Sequence, residues 1–189
     1  MTTLGSDHCP GCGAPLPDDP NGAHHRYMTS SSGCWETFGQ VLAREFSEPG
    51  WFAEHRLTVD TYAAQHPGED DRRQRQSVAL HLIALCHRLE HRLDAEALLR
   101  ITQRLATVRR DWPRLTSPPA YPMTVVDLLP ASSAEEHLAL VRQWADGRGR
   151  PGAGHMLRSA PGRWRRSQMS AARRIVHMFD SPGVPAATS

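Results

Sequence analysis

Two cysteines lie two residues apart in a segment that is too rich in glycine and proline to fold without an added constraint. The run Cys9-Pro10-Gly11-Cys12-Gly13 has the C-P-x-C-G form of a zinc knuckle. In this form a tight turn aims both thiolates at one ion, and the glycine lets backbone N–H groups approach sulfur. Because the start of the chain lacks an apolar export signal, its four cysteines are predicted to be metal ligands or free thiols before disulfides.

A zinc knuckle supplies half of a tetrahedral site, so the remaining ligands must come from elsewhere in the chain. Cys34 is predicted to be the third ligand. The fourth is a histidine or Cys86, and His24 and His25 lie in the loop between the knuckle and Cys34. A redox dithiol and an unliganded exposed turn are the alternatives. With four protein ligands, the zinc would stabilise the fold of the N-terminal segment and would not perform chemistry.

A second set of metal-binding side chains follows in the predicted helical region. His55, Asp60 and His66 lie within twelve positions of the chain, and His81 follows on the next predicted helix. Imidazole and carboxylate together can bind zinc, iron or manganese with a position left open for water or substrate. Asp60 could instead orient a histidine. Ordinary structural roles, and acid–base catalysis without a metal, remain as alternatives.

The spacing of apolar residues predicts a mainly α protein, a small helical bundle. The predicted helices cover 34–46, 57–66 and 77–93, with further helices opened by Asp94 as an N-cap and by a capping box at Ser133. Pro49-Gly50 should end the first helix. The four prolines between Pro113 and Pro122 predict a connector, and 123–129 predicts a strand or one helical turn.

The organisation of the chain divides into three parts. Residues 1–33 form an irregular segment that carries the knuckle, residues 34–146 form the helical core, and residues 147–189 form a poorly packed basic tail. From Gly147 to Phe179 there is no acidic residue but there are eight arginines. Within this irregular Arg/Gly/Pro-rich tail, only Met169 to Phe179 keeps a helical pattern.

The positive charge of the chain has an unusual composition. All 22 basic residues are arginine, and the net charge is only +2. Such bias is typical of a GC-rich gene, so arginine clusters carry little information about binding. Nucleic-acid binding through the tail is disfavoured because the charge before residue 146 is balanced and no aromatic residues are spaced for base stacking. No apolar stretch is long enough for a membrane span, and a cytoplasmic protein is expected.

Several motifs in order resemble a bacterial protein family, the domain of unknown function 5946, over residues 8–146. The motifs are Cys-Pro-x-Cys-Gly, then Gly33-Cys34-Trp35-x2-Phe38, then His55-x-Leu57-x-Val59-Asp60-x-Tyr62-x2-Gln65-His66-Pro67, and then Gln76-Ser77-Val78-x2-His81-Leu82. The resemblance implies no activity. It does imply a helix with tryptophans and a paired His-His directly after Trp144-Ala145, where this chain instead reads Asp-Gly-Arg-Gly-Arg-Pro-Gly. We therefore expect a frame-shifted or diverged end.

Three functions are compatible with these features. The first is a structural zinc protein that acts as an interaction or regulatory module with a protein partner. The second is a metal-dependent enzyme that uses His55, His66 and His81, with Asp60 as ligand or base and with a second metal. The third is a weak nucleic-acid binder. The sequence favours the first and leaves the question of enzymatic activity undecided.

Overall fold

The structure is a computed structural model that describes residues 7–114, 121–147 and 163–180. The described residues form helices and contain no β-strand, which confirms the prediction of a mainly α protein. The helices are α1 (Ser32–Ser47), α2 (Pro49–Phe52), α3 (His55–Gln65), α4 (Arg72–His91), α5 (Ala95–Ala106), a short 3₁₀ helix (Val125–Leu128), α6 (Ala134–Ala145) and α7 (Arg163–Asp180).

Side-chain caps set the starts of α1, α4, α5 and α6. Ser31 accepts a hydrogen bond from the backbone N–H of Cys34 at 3.2 Å, and Asp94 accepts one from Ala97 at 2.8 Å. Each cap satisfies a backbone donor that the first turn leaves without a partner. Pro49 was predicted to end α1, and the structure gives it a second role at the start of the next helix. It stops α1 and also begins α2, because a proline at the first helical position loses no hydrogen bond.

The long helix α4 lies at the centre of the bundle and packs against α3, α5 and α7. Its residues Leu82, Ile83 and Leu85 are almost completely buried. The larger core cluster joins α4 to α1, α3 and α6. That cluster also includes Cys9 and Cys12, so the N-terminal segment is part of the core and does not hang outside it.

The predicted tail contains one described helix, α7, which covers the stretch with helical spacing and extends beyond it. Met169, Ala172 and Ile175 are buried, and the guanidinium of Arg173 binds the Glu90 carboxylate on α4 through two contacts of 2.9 and 2.6 Å. The rest of the tail, 148–162 and 181–189, lies outside the described residues, as does the stretch 115–120 of the connector predicted between Pro113 and Pro122. No described helix is long and apolar enough to cross a membrane.

Gly39 lies in the middle of α1 on its exposed face, and a Cβ atom added there would meet no atom within 4 Å. We expect Gly39→Ala to raise the free energy of unfolding by about 0.5–1 kcal/mol, because glycine in a helix interior is less favourable than alanine by that amount. Urea denaturation measures the change. The control is Gly33→Ala in the same helix, where the Cβ would lie 2.9 Å from the Pro17 carbonyl oxygen and stability should fall.

Candidate metal centre

The knuckle cysteines lie on a tight turn that two backbone hydrogen bonds close. The N–H of Gly13 donates to the carbonyl of Cys9 at 2.8 Å, and the N–H of Cys9 donates to the carbonyl of Ala14 at 2.8 Å. Gly13 has a φ of 76°, a left-handed conformation that glycine adopts without steric cost. The turn therefore places both thiols on the same side of the loop, as the C-P-x-C-G pattern predicts.

Two other candidate metal ligands reach this turn from helix ends. Cys34 lies in the first turn of α1, directly after the cap formed by Ser31. His66 follows the last residue of α3 with φ −123° and ψ 60°, so its side chain leaves the helical path. The Nδ1–H of His66 donates to the Tyr62 carbonyl at 2.7 Å. This bond leaves the lone pair on Nε2 free to face the cysteines.

The four candidate ligand atoms lie close enough together for a single ion. The sulfurs of Cys9, Cys12 and Cys34 and a ring nitrogen of His66 all lie within 4.8 Å of one another. The Cys12 and Cys34 sulfurs are 3.8 Å apart, and Nε2 of His66 is 3.3 Å from the Cys34 sulfur. A tetrahedral zinc ion with Zn–S bonds of about 2.3 Å places two sulfurs about 3.8 Å apart. The cluster is therefore compact enough to hold a single metal ion.

The cluster is closed to solvent. Each of its four residues is exposed by 3% or less. The Tyr62 hydroxyl donates to the Cys34 sulfur at 3.6 Å, and a backbone hydrogen bond from Ala14 reaches the Cys12 sulfur. Such donors stabilise the negative charge of thiolates. With four protein ligands and no exposed face, the arrangement resembles a structural metal site more than a catalytic one.

The thiols cannot all ionise in the absence of a cation. Hydrogen bonds with Cys12 and Cys34 lower the pKa of the Cys9 thiol, whereas hydrogen bonds with Cys12 and Cys9, together with burial, raise the pKa of Cys34 well above its ordinary value. One thiolate is thus stabilised at the expense of its neighbours. A divalent cation would remove this conflict, and its binding would release protons.

The structure separates the second predicted set of ligands. Among the described residues, His66 joins the cysteines, whereas neither His55 nor His81 belongs to a group of three or more ligand atoms that all lie within 4.8 Å of one another. Instead, Nδ1 of His81 lies 2.7 Å from the carboxylate of Asp60, which also binds Arg56 at 2.8 Å. Asp60 is thus a hydrogen-bond partner of a histidine outside the cysteine cluster.

His55 belongs to a buried polar network around Glu45. The Glu45 carboxylate is fully buried and accepts hydrogen bonds from Thr58 at 2.6 Å, from His55 at 2.7 Å and from His137 at 2.9 Å. These partners come from α3 and α6, whereas Glu45 is on α1. Sequence reasoning missed both Glu45 and His137, because a single buried charge on an otherwise amphipathic helix has no local signature.

The other residues considered as fourth ligands have different partners. His24 pairs with Asp18 at 2.7 Å, and His25 lies against Trp35 with ring centroids 4.8 Å apart. Cys86 is buried on α4 and donates to Glu90 at 3.6 Å. His66 is therefore the histidine that completes the cluster. The sequence signal that could have identified His66 was its position directly before Pro67. A helix usually ends before a proline, so a side chain at that point can leave the helical path.

The chain belongs to the family described as a family of unknown function (DUF5946), whose model matches residues 7–147. The match confirms the resemblance noted from the motifs. It ends where the acid-free region of the sequence begins. No curated protein and no solved structure matches the chain.

Gly11 lies between the knuckle cysteines and has no room for a side chain. A Cβ atom there would lie 2.2 Å from the Thr29 carbonyl oxygen and 2.5 Å from Cδ2 of His66. We expect Gly11→Ala to displace the His66 ring and to weaken metal binding by at least about tenfold, the lower end of the effect of lost orientation on a ligand. Competition with a chromophoric chelator measures the affinity. Gly13→Asn is the control, since asparagine tolerates positive φ and a Cβ there would meet no atom within 4 Å.

The Glu45 network makes a separate prediction about stability. Glu45→Ala leaves the ring N–H groups of His55 and His137 without their acceptor in the interior. We expect a loss of about 3–5 kcal/mol in the free energy of unfolding, the cost typical of removing one partner from a buried charged pair. Chemical denaturation measures it. Glu48→Ala is the control, because Glu48 is exposed and its removal should change stability by less than about 0.5 kcal/mol. Equal effects of the two variants would contradict the prediction.

Proposed function

We propose that this protein is a structural zinc protein in which Cys9, Cys12, Cys34 and His66 bind one zinc ion. The observation that supports this most is the buried group of four ligand atoms within 4.8 Å of one another. Three thiolates and one imidazole form a ligand set that zinc prefers in tetrahedral structural sites. The His66 tautomer supports the same proposal, since its bond to the Tyr62 carbonyl directs Nε2 toward the cluster.

The zinc ion would connect three parts of the chain that are distant in sequence. The knuckle lies in a segment without regular structure, Cys34 lies at the start of α1, and His66 lies at the end of α3. A short segment rich in glycine and proline buries too little apolar surface to order itself. Metal binding would supply the free energy that orders this segment on the bundle.

A redox dithiol fits the same residues less well. Cys9 and Cys12 are exposed by 2% and 3%, so a thiol substrate or a disulfide partner has no access to them. A catalytic zinc ion would need a coordination position open to water, and the four protein ligands occupy all four positions of a tetrahedron. A structural role is therefore the function that the geometry favours.

Metal analysis tests the proposal directly. We expect the purified protein to contain one zinc ion per chain by mass spectrometry of the metal. The reference is protein in free zinc at about 1,000 times the dissociation constant of zinc. Relative to this state, removal of the ion should lower the free energy of unfolding by about 4 kcal/mol. Cys9→Ser and His66→Ala should both abolish stoichiometric zinc, because three ligands remain. His66→Cys should retain zinc, because it restores a fourth ligand of a type that zinc accepts.

The matched control is Cys86→Ser, which removes a buried cysteine outside the cluster. It should keep one zinc ion per chain even where it lowers stability. Limited proteolysis gives a second measurement, since loss of zinc should expose residues 7–31 to cleavage while the helical core resists. Metal-free protein that is equally stable with and without added zinc would overturn the proposal.

A further inference from the structure

A groove of about 700 Å³ lies beside the metal centre, between the exposed face of α1 and the loop 17–23. This volume is within the range of about 300–1,000 Å³ that is typical of ligand-binding clefts. On the helix side, Trp35, Gly39 and Ala43 line the groove. They are four residues apart and therefore lie on one face of α1, so the groove follows the helix for about two turns.

The loop that forms the opposite wall is attached to the first turn of α1. The Asp18 carboxylate accepts a hydrogen bond from the Ser32 N–H at 2.9 Å, and the Asp19 N–H donates to the Ser32 hydroxyl at 2.7 Å. The Gly33 N–H donates to the Pro17 carbonyl at 3.3 Å. Cys34, one of the proposed zinc ligands, follows immediately. The groove is thus preformed, and its shape depends on the segment that zinc would order.

The floor of the groove contains Gly39, a glycine that no contact within the chain requires. Gly39 is in the middle of α1, where glycine is less favourable than any residue except proline. A Cβ added there would meet nothing within 4 Å, so no internal contact requires glycine at this position. Glycine on an exposed helix face does permit close approach by the backbone of another segment. Ala43, one turn later, also has a small side chain and so leaves the same helix surface accessible.

The charge of the groove indicates what kind of segment would approach it. The charged side chains among its described lining residues are all acidic, namely Asp18, Asp19 and Glu36. The Asp18 carboxylate is already bonded to Ser32 and His24. The Asp19 carboxylate accepts a hydrogen bond from the Asn21 N–H at 2.9 Å but, like Glu36, is exposed at the rim. Trp35 is half-buried at the groove, and aromatic residues of this kind are enriched in the cores of protein interfaces. An apolar floor with an acidic rim complements a segment that carries both apolar and basic side chains.

We propose that this groove binds a positively charged segment of a partner protein. The segment places an apolar side chain over Gly39 and Ala43 and directs lysine or arginine side chains toward Asp19 and Glu36. This inference rests on the proposed zinc site, because the metal orders the loop that forms one wall. It gives the zinc protein a role as an interaction module.

Selection from a random library of 12-residue peptides, displayed on phage and presented with the zinc-loaded full chain, tests the inference. We expect enrichment of peptides that combine arginine or lysine with apolar residues. Binding of the selected peptides, measured by fluorescence anisotropy, should weaken at least tenfold with Gly39→Leu, which fills the floor, and should weaken in high salt. Glu36→Gln should weaken binding of the basic peptides. It should not weaken binding of peptide variants in which glutamine replaces the basic residues.

The control is Gln103→Leu, which adds the same side chain at an exposed position of α5. It should leave binding unchanged, and Gly39→Leu should leave the zinc content unchanged. Zinc-loaded protein that selects no peptide, selects acidic peptides, or binds equally well with Gly39→Leu overturns the groove inference alone. So does a dimer in sedimentation that Gly39→Leu dissociates, because the occupant is then a second copy. Zinc-depleted protein that still selects basic peptides through Gly39 contradicts the dependence of the groove wall on the metal, whereas the zinc proposal itself fails only if added zinc leaves stability unchanged.

Discussion

Three thiols and one imidazole from three separate segments converge on a single point in the N-terminal third of this protein. Cys9 and Cys12 come from a tight turn, Cys34 from the first turn of α1, and His66 from the end of α3. The loop that connects the knuckle to α1 has no regular structure, yet it lies against the bundle and forms one wall of a groove. A bound cation would resolve the mutual repulsion of the thiolates and thereby hold this loop in place.

Buried carboxylates make a second contribution to the bundle, in addition to its apolar core. Glu54, at the start of α3, binds Arg88 on α4 and Arg142 on α6. Asp60, one and a half turns later, binds His81 on α4. Each buried charge has a partner on a different helix, so a change in helix register would leave it unpaired at high cost. In a chain with only 39% hydrophobic residues, such pairs add specificity to the packing.

Sequence reasoning located most helices because they bury one face and begin at recognisable caps. The helix opened by Asp94 and the one opened by Ser133 begin as predicted, since a side-chain cap is a local interaction. Predictions about the histidines were less complete. An ideal helix places His55 and His66 on one face, but α3 ends at Gln65, and the next residue has non-helical backbone angles that turn its ring toward the cysteines. A local pattern cannot report that change of direction.

The sequence by itself determined the family, the helical class and the two cysteines of the knuckle, because these depend on motifs, periodicity and spacing within a few residues. Only the tertiary structure decided which histidine completes the cluster, since Cys9 and His66 are close in space while far apart in the chain. The same holds for Glu45, whose buried carboxylate has partners on two other helices. Contacts between distant segments depend on how helices pack, and packing is a property of the whole chain.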